Sequence, residues 1–115
     1  MEGKIKIMVL CASGMSSGLV VDSIIEHAPE YGVEVDVHCS PSLRYRELDY
    51  NGLDIILIAP QVKSSTGDIM EYIKGLGLDI PYMNIQMREY GLVKGGAILK
   101  QALEVLEQNK SNRGG

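Results

Sequence analysis

The stretch LCASGMSSGLV, residues 10–20, sets a single cysteine between an apolar run and a segment of serines and glycines. A thiol does chemistry as the thiolate, and its ordinary pKa of about 8.5 falls when the sulfur lies near a helix N-terminus. Between Cys11 and the apolar positions that follow stand Ala12, Ser13, Gly14, Met15, Ser16, Ser17 and Gly18, so that glycines let the backbone bend round a ligand and hydroxyls can donate to it. Successive backbone N–H groups in such a segment, added to a helix dipole, cradle an anion. The same cradle suits the oxygens of a phosphoryl group carried on the sulfur. The plain alternative is a small apolar side chain that ends a strand above a tight turn. Cys39 has no such segment after it and takes that plain reading.

The elements that position Cys11 follow from periodicity. KIKIMVL (4–10) becomes continuously apolar and stops at small polar residues, which predicts a buried strand. Leu19, Val20, Ile24 and Ala28 then recur at helical spacing, with Ser16 or Ser17 available as N-cap and Pro29 past the end, so a helix is expected over about 16–28. VEVDVHC (33–39) alternates as a strand, LDIILIA (53–59) is a second buried strand, and IPYMNI (80–85) is a short one. DIMEYIKGLGL (68–78) reads as a helix until its glycines stop it, and Val93, Ala97, Leu99, Ala102, Leu103 and Leu106 predict a closing helix over 92–108. The connection SPSLRYRELDYNG is long and polar, fit for a short helix or only a loop.

Apolar strands alternating with helices imply an α/β fold: an open four-stranded parallel sheet, doubly wound and Rossmann-like, with helices on both faces. One domain is expected over 1–108, with 109–115 a disordered tail. In such sheets ligands bind beyond the carboxyl ends of the strands, near the point where the strand order reverses. The first strand-to-helix turn is the usual place, and it begins at Cys11.

Composition narrows the function. With 11 basic and 15 acidic residues the chain carries a formal charge of −4, which gives a phosphate backbone nothing to release counterions against, so no nucleic-acid partner is expected. No apolar run approaches the roughly 20 residues that cross a bilayer, and the N-terminus lacks a signal-peptide pattern, which points to the cytoplasm. The 2 cysteines form neither a CxxC pair nor a cluster with histidine, so neither a disulfide scaffold nor a structural metal site is expected. A cysteine phosphatase closes its C-x₅-R loop with an arginine that grips the phosphate, and here the closing position is Ser17. A phosphocysteine that forms without that arginine is not hydrolysed fast and can be handed on. The rivals to such a carrier are a small cysteine phosphatase, a phosphorylated regulatory or interaction module, and a redox thiol pair should Cys39 lie close in space.

KIMVLCASGMSSGLVV, DIILIAPQV and YGLVKGGAILKQALEVL together resemble the lactose/cellobiose-specific enzyme IIB component of the sugar phosphotransferase system, over roughly residues 4–107. The resemblance implies a cytoplasmic phosphotransferase, associated peripherally with a membrane transporter. It implies that Cys11 takes a phosphoryl group from a phosphohistidine of the IIA component. The group then passes to a sugar of β-glucoside/cellobiose, chitobiose or lactose type at the membrane IIC component, with no cofactor. Ala12 to Gly18 match the phosphate-binding loop, Gln61 lies in the PQ of a neighbouring loop, and Tyr90 lies in the YG before the last helix. Gln86 stands where relatives commonly carry aspartate, and the 41–50 segment with Arg44 and Arg46 has no clear counterpart. His27 and His38 are read as surface or structural residues.

Overall fold

The computed structural model describes the backbone of residues 3–12 and 14–114 and the side chains of 3–12 and 18–109. Strands β1 (Ile5–Cys11), β2 (Val35–Pro41), β3 (Ile55–Ile58) and β4 (Tyr82–Asn84) pair in parallel in the order β2-β1-β3-β4. Helices α1 (Gly14–His27), α2 (Thr66–Gly75), α3 (Met87–Gly91) and α4 (Gly95–Gly114) complete the α/β fold expected from the sequence.

The continuous apolar run of β1 is buried because its two sides face two cores. Ile7, Val9 and Cys11 pack with Val20 and Ile24 of α1 and with Ile98, Leu99 and Ala102 of α4. Met8 and Leu10 point the other way, onto Ile69 and Ile73 of α2 and onto Tyr50. The period of two in the strand therefore decides that the Cys11 side chain lies on the α1/α4 side.

Several boundaries differ from the sequence reading. The second strand was expected at 33–39 but occupies Val35–Pro41, with Cys11 opposite Pro41 in the register. An edge strand tolerates this, since the proline's missing N–H need not meet a further strand. Pairing starts late because Gly32, at φ +68°, first turns the chain out of the preceding 3₁₀ turn. The closing helix starts at Gly95, three residues later than expected, and runs past Gln108 to Gly114. The short helix α3 was not foreseen, and the long polar connection contains a 3₁₀ turn, Ser42–Glu47.

That turn is tied to the α2 side of the sheet by tyrosines. Tyr50 is 1 % exposed and its hydroxyl donates to the Tyr45 carbonyl, and the Tyr72 hydroxyl donates to the Arg46 carbonyl at 3.2 Å. The Tyr45 and Tyr72 rings meet edge to face at 5.5 Å, and the Arg46 guanidinium lies 5.4 Å over the Tyr45 ring. Burial, with the neighbouring Tyr72 and Tyr45 phenols adding to it, pushes the Tyr50 pKa from 10.0 up to about 12. Above pH 10 the unfolded chain loses this proton while the folded chain keeps it, so stability is expected to fall as the pH rises from 10 towards 12. Urea midpoints measured at pH 9 and pH 11 should show a smaller drop for Tyr50→Phe than for the wild type. An equal drop would mean that another group governs the alkaline loss.

Candidate functional site

The carboxyl ends of the four strands finish level with one another. Leu10 pairs with Ser40 on one side and Ile58 on the other, the Ala59 N–H donates to the Leu10 carbonyl at 2.9 Å, and the Ile85 N–H donates to the Ile58 carbonyl at 2.8 Å. Consecutive strands run outward from β1 in opposite directions, to β2 on one side and to β3 and β4 on the other. This is the switch point at which open α/β sheets bind ligands.

Cys11 is the last residue of β1, fully buried, with its Sγ donating to the Ser40 carbonyl at 3.6 Å. Sequence periodicity could not find that acceptor, because it depends on the register between β1 and β2. Ser42, a buried polar residue just past Pro41, was likewise not foreseen. The helix begins at Gly14, not near residue 16, so Gly14 to Gly18 have helical backbone and Ala12 is exposed in the short connection before them. Ser13 and the side chains of Met15, Ser16 and Ser17 lie outside the described residues. The earlier start shortens the connection: α1 is 14 residues long and opens three positions beyond Cys11 in the chain, and a helix of that length carries the positive end of its dipole at its opening.

The expected neighbours divide. Gln61 is exposed in a 3₁₀ turn, Pro60–Ser65, which leaves β3 beside the end of β1. Tyr90 belongs to α3 and is buried in the core with Ile85, Ile98 and Leu99, so the YG pair marks packing more than a surface loop. Arg44 and Arg46 sit in the Ser42–Glu47 turn at the Cys11 end of the sheet. Among the described residues no three His, Cys, Asp or Glu side chains converge to hold a metal ion.

Neither Cys11 nor Cys39 forms a disulfide. The strand of Cys39 does lie beside that of Cys11, but Cys39 is opposite Val9 while Cys11 is opposite Pro41. Strand spacing and rise then separate the two Cα atoms by roughly 8 Å, beyond the roughly 7 Å that a disulfide spans without backbone movement. The redox-pair reading loses its geometry.

The model of the lactose/cellobiose-specific IIB subunit of the PTS matches residues 6–101. The chain belongs to this family. Like other IIB components it is a phosphotransferase of sugar phosphorylation. Its sequence is 28 % identical over 101 residues to an oligo-beta-mannoside-specific EIIB component of Bacillus subtilis (strain 168), covering 88 % of this chain and 95 % of that one. It is 32 % identical over 74 residues to a lactose-specific EIICB component of Lactococcus lactis subsp. lactis, covering 64 % of this chain but 13 % of that much longer relative. Among solved structures, the lactose-specific IIB component domain from Streptococcus pneumoniae superposes with a TM-score of 0.70 at 25 % identity, over 89 % of this IIB chain and 97 % of that one. No helix among the described residues is long and apolar enough to cross a membrane.

Proposed function

We propose that this IIB chain carries a phosphoryl group on Cys11, received from a phosphohistidine of a IIA component and passed to a sugar held by a membrane IIC component. The observation that carries the reading is the place of Cys11, at the end of β1, at the switch point, three positions before the start of a 14-residue helix. The sulfur attacks phosphorus in line with the departing imidazole nitrogen, so the S–P bond forms as the P–N bond breaks, and the thiol proton ends on the imidazole. Backbone N–H groups at the opening of α1 face the equatorial oxygens, with the hydroxyls of Ser13, Ser16 and Ser17 as further donors and Gln61 reaching in from the neighbouring turn.

Ser17 stands where a cysteine phosphatase has its arginine, which favours handing the group on over hydrolysis. The chain would work in the cytoplasm against the membrane partner, as one domain over 1–108. The sugar would be of the β-glucoside/cellobiose, chitobiose or lactose type; relatives of similar identity are named for lactose and for cellobiose, which supports that reading, and another is named for an oligo-β-mannoside. Sugar choice then rests mainly with the membrane partner.

The test is intact-protein mass spectrometry after incubation with phosphoenolpyruvate, the general phosphotransfer proteins and a IIA component of the same family. A gain of one phosphoryl mass, discharged on adding IIC-containing vesicles and a sugar of this class, is the expected result. No gain from a fully charged IIA component would leave an interaction module as the better reading.

A further inference from the structure

We propose that the Ser42–Glu47 turn is the docking surface for the phosphohistidine-bearing donor, with Leu43 as its apolar anchor and Arg44 as its electrostatic guide; the proposal rests on the carrier reading above. Leu43 is 92 % exposed, although Ser42 beside it is buried and the rest of the turn is fastened down. Tyr50 and Tyr72 hold its backbone carbonyls, the Tyr45 ring meets Tyr72 edge to face, and the Arg44 Nε donates to Glu47 Oε1 at 3.2 Å. A leucine held out into water on a rigid turn is an anchor that needs no ordering when a partner covers it.

The position of the turn decides what covers it. Pro41, the residue before the turn, is opposite Cys11 in the register, so Leu43 and Arg44 stand at the rim of the sheet end at which Cys11 lies, although the Cys11 side chain itself packs on the α1/α4 side. In-line transfer brings the donor's histidine nitrogen and phosphorus to about 3–3.5 Å from the reacting atoms, so a donor protein has to spread over this rim.

Charge favours a donor that bears the phosphoryl group. The chain as a whole carries −4, yet Arg44 and Arg46 lie in this turn and Lys63 in the next one, with Glu47 the acidic residue of the two turns. A donor arrives with a phosphoryl dianion and leaves without it, whereas the sugar brings no charge. Cations on the rim therefore favour the charged donor and release the spent one.

The proposal is tested by initial rates of Cys11 phosphorylation against the concentration of a phosphorylated IIA component, for wild type, Leu43→Glu, Leu43→Met and Arg44→Glu, all on a Cys39→Ser background. Alkylation of Cys11 by iodoacetamide, a reagent that needs no docking surface, runs alongside. Leu43→Glu and Arg44→Glu are expected to raise the half-saturating donor concentration at least tenfold. Leu43→Met should stay within about twofold of wild type, and the alkylation rates should all agree. Unchanged half-saturation in the glutamate variants overturns the proposal, and so does an equal fall in alkylation, which would make the turn part of the thiol's own surroundings. A wild type that takes no phosphoryl group from the charged donor would overturn the carrier reading itself, a result distinct from either of these.

Discussion

Cys11→Ser is expected to abolish phosphoryl transfer, by a factor on the order of 10³ or more, while leaving a folded protein. An ordinary serine hydroxyl keeps its proton near neutral pH, where an ordinary thiol is ionised to a few per cent, and the neutral hydroxyl is the weaker nucleophile. The fold should survive because the new hydroxyl can donate to the same Ser40 carbonyl that the Sγ now reaches at 3.6 Å. Burying the more polar group should cost about 1–2 kcal/mol, read as a lower urea midpoint at an unchanged slope. Cys39→Ser is the companion. Cys39 is half-buried two residues before Pro41 on the edge strand, and nothing directs a phosphoryl donor to it, so that variant should be labelled like the wild type. Phosphoryl mass retained by Cys11→Ser and lost from Cys39→Ser would move the acceptor to the other strand and sink the assignment.

Much of this site could be read in the sequence, and the physical reason lies in burial. KIMVL and IILI have no polar face because helices cover both sides of the sheet, and that pattern alone implies parallel strands, crossovers and a switch point at the first turn. What escaped the sequence depends on contacts between distant residues. The SLRYRE turn has no apolar period, and its tyrosines gain meaning only once Tyr72, on α2, is brought against Tyr45. The Ser40 carbonyl that receives the Cys11 thiol is set by register. The start of α1 precedes the one the sequence suggests because serines and glycines are poor formers of helix interiors, whereas here they occupy its first turn, where such residues are favoured.

The YGLVKGG segment carries a packing requirement. Its tyrosine is in the core, and its last glycines join α4 to α1. The Ser23 hydroxyl donates to the Val93 carbonyl at 3.1 Å and accepts from the Gly95 N–H at 2.9 Å, so a side chain of α1 caps the first turn of α4. Val93 has φ +54°, a left-handed conformation that a β-branched residue adopts only under constraint. The Ser23 bond and the 3.1 Å bond from the Val93 N–H to the Tyr90 carbonyl supply that constraint. The sequence shows the glycines but not the helix that presses on one of them.

Gly95→Ala is for that reason expected to be the most destabilising single-methyl change in this joint. A Cβ at Gly95 would lie 2.3 Å from the Ser23 carbonyl carbon, 2.4 Å from the Ile24 nitrogen and 2.4 Å from the Ser23 Oγ. Two of those atoms are backbone, which cannot rotate away, so α4 must lift from α1 and open the core around Val20, Ile24, Ile98 and Leu99. A loss of about 3 kcal/mol or more follows, equivalent to a fall in Tm of roughly 10 °C or more. Gly96→Ala is the control: its Cβ would meet the His27 ring at 3.3 Å, a side chain that can shift, and the helix gains by replacing glycine with alanine. That variant should stay within about 1 kcal/mol of the wild type. Ser23→Ala separates the two causes, since it removes both hydrogen bonds without adding a clash, and should cost about 1–2 kcal/mol. Urea denaturation of the three variants decides the matter. Equal losses for Gly95→Ala and Ser23→Ala would assign the joint to hydrogen bonding, whereas a Gly95→Ala loss well above that of Ser23→Ala shows that close approach of two helix backbones holds α4 against the helix that opens beside Cys11.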